Sequence, residues 1–381
     1  MERTHFEDDH KLFRDAFRQF VKTEIVPHNA AWEASGICDR SMFAAAGAAG
    51  YLGLQVDESL GGGGVDDYRF NQIMVEEFER AGVGSAGSGI GLHNDIVIPY
   101  FVEYCNDEQK RRWLPGLCSG ELIAAIAMSE PGVGSDLGNL STTARLDGDR
   151  YIVNGSKTFT SNGILGDVVV VAVRTGPDRH RGITLLVVER GMPGFERGRN
   201  LAKIGRHSQD TAELSFMDCE VPAANRLGEE NRGFYYMMFN LAQERLNIAV
   251  SAIAAAQYSF DLTLSYVKER QAFGQRIGSF QNSRFALAEL ATEIRIGQSF
   301  VDRCVVAHND RVLTPEEAAM AKWWTTELQK RVNDQCLQLH GGYGYMDEFE
   351  ISRAWRDGRA QTIYGGTTEI MKEIIGKSLG L

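Results

Sequence analysis

The hydrophobic period of the chain changes twice, from helical to strand-like near residue 122 and back to helical after Gly233, and this order restricts the fold more than any single motif does. In the first third, Phe13, Phe17, Phe20 and Val21 form a stripe at helical spacing, residues 42–52 are alanine-rich, and Ile73, Met74 and Phe78 stand among charges. That spacing predicts helices joined by glycine-rich loops, and no strand pattern competes with it. Short β-prone runs follow at 122–128, 151–153, 168–173, 184–188 and 212–216, bounded by Gly, Asp, Asn and Pro; they predict a compact β-domain. The last third reads as helices over 237–270, 280–309, 314–339 and 367–378, and Thr314 ahead of Pro315, Glu316 and Glu317 is a capped start with acids in its first turn. The expected class is therefore α+β: an N-terminal helical domain at 1–120, a central β-barrel-like or β-sandwich domain at 121–230, and a C-terminal four-helix bundle at 231–381. No internal repeat or low-complexity tract interrupts this layout.

One residue breaks the pattern. Met237, Leu241, Glu244, Ile248, Ala252 and Ala255 recur at intervals of three and four, so a helix aligns them on one apolar face and aims Glu244 where a core side chain belongs. Burying an ionised carboxylate costs several kcal/mol unless it is paired or does chemistry. Burial also raises its pKa toward the range of a general base. A structural ion pair is the competing explanation, although the adjacent Arg245 is a poor partner because successive helical residues point about 100° apart.

Composition sets the outer limits. The 381 residues suffice for two or three domains, and a hydrophobic share of 43 % supplies their cores. With 40 Lys plus Arg against 51 Asp plus Glu, the formal charge of -11 argues against a general nucleic-acid or anionic-membrane binder. An anionic cofactor can still be held locally by Arg or by helix N-termini. Cys38, Cys105, Cys118, Cys219, Cys304 and Cys336 lie far apart without a C-x-x-C, so neither a metal site nor a disulfide framework is expected, and a reducing compartment fits. The acidic N-terminus lacks the apolar run of a signal peptide, and no segment reaches membrane-spanning length. A cytoplasmic protein is expected; a processed mitochondrial matrix form would look alike.

Among the glycine-rich segments, GVGSAG at 82–87 is a literal G-x-G-x-x-G, but it follows a charged helix and not a buried strand. A loop is expected there, not a dinucleotide site. Gly61 to Gly64 reads as a flexible turn. EPGVGS at 130–135 directly follows a predicted buried strand; its glycines let the backbone approach a ligand closely and its hydroxyls can donate to it. No G-x-S-x-G is present, so a serine-hydrolase elbow is excluded. Taken singly, Phe159 reads as core, Arg270 as a cation at a helix C-terminus and His340 as a structural histidine.

AMSEPGVGSD at 127–136 resembles a signature of the acyl-CoA dehydrogenases, and RDGRAQTIYGGTTEI at 356–370 resembles their C-terminal one; the similarity covers essentially the whole chain. In the short- and medium-chain branches the residue before the Gly-Thr of the second signature is the catalytic glutamate. That position is Gly365 here, so the usual base is missing. Long-chain relatives carry the base on the helix after the β-domain in a Gln-Glu-Arg context, which matches Gln243, Glu244 and Arg245.

The resemblance implies FAD between the β-domain and the bundle, in a homotetramer built from dimers whose neighbouring subunit closes over the cofactor. It implies Met128, Ser129, Phe159, Thr160 and Ser161 beside the flavin, and Arg270 on the pyrophosphate, with Phe273 and Gln281 near it. Gln338, Gly341 and Gly342 are implied at the adenosine part, and Thr367 and Glu369 as further flavin contacts. Ser135, Tyr235, Gln243, Arg245, Gly365 and Gly366 are implied on the acyl-CoA. Glu244 would remove the α-proton while the β-hydrogen leaves as hydride to the flavin, giving a trans-2-enoyl-CoA. A ribityl hydroxyl and the Gly365 N–H would polarise the thioester, and an electron-transferring flavoprotein would take the electrons. A medium- to long-chain or branched substrate is expected. An acyl-CoA oxidase or flavin monooxygenase on the same scaffold, or a non-catalytic acyl-CoA binder, are the rival readings. If the two base positions reach one α-carbon, Gly365→Glu should partly rescue Glu244→Gly, provided Gly365 does not need positive φ.

Overall fold

The computed structural model describes residues 3–381. Helices α1 (Asp8–Phe20), α2 (Val26–Ser35), α3 (Ser41–Ala48), α4 (Tyr68–Arg80), α5 (Gly84–Gly91), α6 (Ile98–Tyr104) and α7 (Asp107–Ser119) build the N-terminal part. Their apolar stripes meet in a core that includes Phe17, Phe20, Met42, Phe43, Met74 and Phe78. Two wider π-helical turns, Val21–Ile25 and Leu92–Val97, lead into α2 and α6; such turns recur at functional sites. The loop expected at 82–87 is corrected, since Gly84 opens α5. An added Cβ at Gly87 would lie 2.2 Å from Phe78 Cγ, so the glycine lets α5 close on α4 and serves packing, not a nucleotide.

Strands β1 (Ala124–Ala127), β2 (Thr143–Asp147), β3 (Arg150–Ser161), β4 (Val168–Arg174), β5 (Ile183–Glu189), β6 (Phe195–Asn200), β7 (Thr211–Pro222) and β8 (Arg226–Leu227) form one sheet ordered β6-β7-β3-β2-β4-β5-β8, with β1 parallel to β4. All five expected runs are strands. β2 and β6 escaped the pattern because only Ala144 and Phe195 of them are buried. β4 reads as an unbroken apolar run because both its faces are covered: Val168, Val170 and Ala172 pack toward α6 and α7, while Val169, Val171 and Val173 join Tyr151, Leu214 and Phe216.

The C-terminal part is α8 (Gly233–Glu269), a small hairpin of β9 (Gln271–Ala272) and β10 (Gln275–Arg276), then α9 (Gln281–Asn309), α10 (Pro315–His340), α11 (Glu350–Gly358) and α12 (Thr368–Ser378). Leu246, Val250, Ile253, Leu290, Val301, Leu328 and Val332 interlock α8, α9 and α10. The cap of α10 forms as the sequence predicts: Glu317 N donates to Thr314 Oγ1, and Thr314 N donates to the Glu317 carboxylate. Met237, at the start of α8, belongs to the core shared by the sheet and α6, so one helix spans the junction of all three parts. No described helix is long and apolar enough to cross a membrane, and the six cysteines are free thiols.

Candidate active site

Glu244 is 7 % exposed, and Met237, Ile248, Ala252 and Ala255 are buried with it. From α6, just beyond the second π turn, the Tyr100 hydroxyl donates to Glu244 Oε1 at 3.2 Å. Burial pushes the carboxyl pKa up to about 7, and the Tyr100 hydrogen bond and the Arg245 charge recover only part of the shift. Among the described residues Glu244 has no ion-pair partner, which removes the structural explanation offered by the sequence.

The π turn holds a second buried carboxylate that the periodicity did not disclose. Asp95 accepts from the side-chain amides of Asn71 and Asn247, yet burial raises its pKa to about 7. Gln243 Nε2 donates to Asp95 O at 2.7 Å, so that side chain is engaged with the protein wall. Arg245 is buried too, and its Nε has no hydrogen-bond partner.

Opposite α8, the turn before α12 brings Gly365 (φ +64°) and Gly366 (φ +96°) against the same face; an added Cβ at Gly365 would lie 2.2 Å from Ile248 Cδ1. Ile248 follows Glu244 by one helical turn, so this glycine turn packs one turn along α8 from the buried carboxylate. The condition set for the Gly365→Glu rescue is not met, since the backbone there sits in the left-handed region, and the end of the Ile248 side chain would have to move aside for a new one. Gly365→Glu in a Glu244→Gly background should therefore regain little of the rate of anaerobic flavin reduction; recovery close to the unaltered protein would contradict a strained backbone at this position.

On the other wall, β1 ends at Ala127 and residues 128–130 turn toward β3. Thr158 N donates to Ser129 O at 3.0 Å, and Lys157 Nζ donates to Met128 O at 3.1 Å and to Glu130 Oε1 at 2.9 Å. The Glu130 carboxylate also accepts from Ser141 N and Oγ, both at 2.6 Å, and from Thr142 N at 2.8 Å. Burial opposes its charge, but Lys157 and Ser141 overcome that and bring its pKa to about 2. The sequence hinted at this brace only through a lysine at an inward position of a strand.

Phe159 corrects the core reading. It is 70 % exposed with φ +58°, at the register shift where β3 bulges against β7, and the bulge aims the ring outward. Thr160 turns inward and its hydroxyl is buried without a partner, while Ser161 pairs with Thr211. Ser135 is exposed on the loop that follows β1. Tyr235 is partly exposed at the start of α8, with the Arg232 guanidinium 4.9 Å from its ring centroid.

Arg270 caps α8 and, with Tyr266, Gln338, His340, Gly341, Gly342 and Tyr343, lines a cavity of about 490 Å³. Its guanidinium lies 5.5 Å from the Tyr343 ring centroid. His340 stacks on Tyr266 and its Nδ1 lies 2.8 Å from Cys336 O, the satisfied histidine anticipated. Phe273 is 95 % exposed in the β9–β10 hairpin, and Gln281 opens α9 at the surface. Thr367 caps α12, with Glu369 exposed in its first turn. Glu244 does not line this cavity.

Helices lie on either side of a sheet, a buried carboxyl with a raised pKa sits on the helix that joins them, and a separate cavity has a guanidinium at its edge. Residues 7–121, 125–219 and 231–380 match the N-terminal, middle and C-terminal domains of acyl-CoA dehydrogenase. The chain is 46 % identical to the mitochondrial long-chain specific acyl-CoA dehydrogenase of Sus scrofa, over 98 % of this chain and 87 % of that protein. It is similar to the crystal structure of an acyl-CoA dehydrogenase from Geobacillus kaustophilus, with TM-score 0.97 and 54 % identity over 99 % of this chain and 100 % of that one. A glutaryl-CoA dehydrogenase from Mycobacterium smegmatis in complex with FADH2 is similar with TM-score 0.91 and 26 % identity, over 98 % and 95 %. The chain belongs to the acyl-CoA dehydrogenase family. It is an oxidoreductase with acyl-CoA dehydrogenase activity.

Proposed function

We propose that the protein is an FAD-dependent dehydrogenase of medium- to long-chain or branched acyl-CoA, with Glu244 as the base that takes the α-proton. The observation that carries this reading is a buried carboxylate whose pKa of about 7 comes from burial and which has no ion-pair partner among the described residues. A base poised near neutrality suits proton abstraction at working pH. The long-chain preference is supported by the name of the pig relative.

The residues fit an FAD. The 490 Å³ cavity offers a guanidinium from Arg270 for a pyrophosphate, and the side-chain amide of Gln338 and backbone at Gly341 and Gly342 for the adenosine part. Met128, Ser129, Phe159, Thr160 and Ser161 would border the isoalloxazine, the unpartnered Thr160 hydroxyl among them, with Phe273, Gln281, Thr367 and Glu369 completing the site. When bound, FAD supplies the acceptor for the β-hydrogen. Glu244 holds the abstracted proton, the Gly365 N–H donates to the thioester oxygen, and Ser135, Tyr235, Gln243, Arg245 and Gly366 surround the acyl-CoA. Tyr100 keeps the Glu244 carboxylate in one orientation.

The reading includes a homotetramer built from dimers, to which exposed Phe285 and Ile296 on α9 would contribute apolar surface, an electron-transferring flavoprotein as acceptor, and a cytoplasmic setting. Domain limits at 1–120, 121–230 and 231–381 belong to the same proposal. The test is a screen of acyl-CoAs by anaerobic flavin reduction, followed by addition of oxygen or of electron-transferring flavoprotein. Fast reoxidation by oxygen would favour the oxidase, and no reduction by any acyl-CoA would leave only a binder. Arg270→Ala should weaken FAD retention by about 10- to 100-fold, the loss of a charged hydrogen bond worth about 1.5–3 kcal/mol; unchanged flavin content after dilution and gel filtration would defeat that assignment.

A further inference from the structure

Lys322 on α10 is fully buried, and its ammonium donates to Gly366 O at 2.6 Å. Burial drives its pKa down to about 8; Arg245 pushes the same way, against Glu327 and Glu369. Neither Lys322 nor Arg245 has an ion-pair partner among the described residues. A single carbonyl compensates poorly for burying an ammonium, and an unbranched apolar side chain of similar length would occupy the place without that cost. Lys322 is therefore a buried, unpaired cation held against the turn at Gly365 and Gly366, and the Arg245 charge acts on it without being bonded to the turn.

The turn has few other ties. Both glycines have positive φ, and among the described residues neither of their N–H groups has an acceptor. Tyr364 N donates back to Ala360 O at 3.2 Å and Thr367 already caps α12. Lys322 is the only side chain among the described residues that is hydrogen-bonded to the backbone of either glycine. On its other side the turn meets Ile248, one helical turn beyond Glu244.

We infer that Lys322 is a positioning residue for the reaction: by tying the Gly366 carbonyl to α10 it holds the turn so that the Gly365 N–H stays free for the thioester oxygen, and it places positive charge beside the turn where the substrate becomes negative. The inference rests on the dehydrogenase reading above. As the α-proton passes to Glu244, the C–H electron pair moves toward the thioester oxygen, and preorganised donors and charges lower the energy of that arrangement.

The test separates polarisation from turnover. In the assembled, FAD-loaded Glu244→Gln protein, which holds substrate without reacting, the carbonyl stretch of a bound acyl-CoA labelled with 13C at the thioester carbon is measured by difference infrared spectroscopy. The stretch should lie below that of free acyl-CoA, and adding Lys322→Met should move it back toward the free value. With Glu244 intact, Lys322→Met should slow anaerobic flavin reduction about 10- to 100-fold while acyl-CoA affinity and FAD content change little. An unchanged stretch and rate would overturn the inference. If Lys322→Met fails to assemble, Lys322→Arg keeps a cation but cannot place it at the same point; a wild-type stretch and rate in that variant, or failure of both variants to assemble, would assign Lys322 to folding alone and overturn the inference too. Absence of flavin reduction in the unaltered protein would instead remove the dehydrogenase reading itself.

Discussion

Glu244→Gln should retain FAD and bind acyl-CoA while reducing its flavin about 10²- to 10⁴-fold more slowly, because the amide fills the same volume but cannot take a proton. In the unaltered protein kcat/KM should fall about tenfold per pH unit below pH ~7, as the carboxylate with a pKa of about 7 becomes protonated. Asp95 titrates in the same range, so Asp95→Asn is the control: the acid limb should persist in it. Stopped-flow reduction under nitrogen across pH measures both, and near-normal reduction by the Gln variant would place the base elsewhere.

The same burial carries a stability cost with a definite sign. A glutamate in the unfolded chain loses its proton near pH ~4.3, whereas native Glu244 keeps its own to about 7. Between those values the native state binds the extra proton, so the residue's contribution to stability falls as pH rises through the window and stays low above it. Glu244→Gln should therefore gain about 3 kcal/mol near pH 8 and little near pH 4. Equal gains at both pH values, read from denaturant unfolding of the holoprotein, would mean that the gain does not come from the charge.

The second large effect is expected at the brace beneath the β1–β3 turn. Lys157→Met leaves Glu130 buried without its cation, a loss of about 3–5 kcal/mol when one partner of a buried pair is removed. The side-chain exposures of 0 % and 2 % place the pair in that class. Because Lys157 also holds the Met128 carbonyl, the variant should lose flavin along with stability. Glu130→Gln in the same chain should recover only part of the stability, because it removes the stranded charge but turns one of the two accepting oxygens into an NH2 that faces the Ser141 or Thr142 N–H; the flavin should not return, since the tether to Met128 O stays missing. A Lys157→Met protein that melts within about a degree of the unaltered one would sink the argument.

How far the sequence reached follows from what periodicity encodes. A recurring apolar interval reports which face of a segment is covered, which is a local property; it therefore determined the helix–sheet–helix order and the misplaced carboxylate at Glu244, while local residue types marked the cap of α10. It could not report what lies across a covered face. Tyr100 reaches Glu244 from 144 residues earlier in the chain, and Asp95 meets Asn247 from a similar distance, because α6 and its π turn dock on α8. The outward turn of Phe159 depends on the register between β3 and β7, the glycines at 82–87 on how closely α5 approaches α4, and the resistance of Gly365 to a side chain on where Ile248 comes to rest. The chain alone determined that a carboxylate would be buried; only the tertiary structure decided what would surround it, since the pKa of a buried group depends on neighbours brought together by packing between segments.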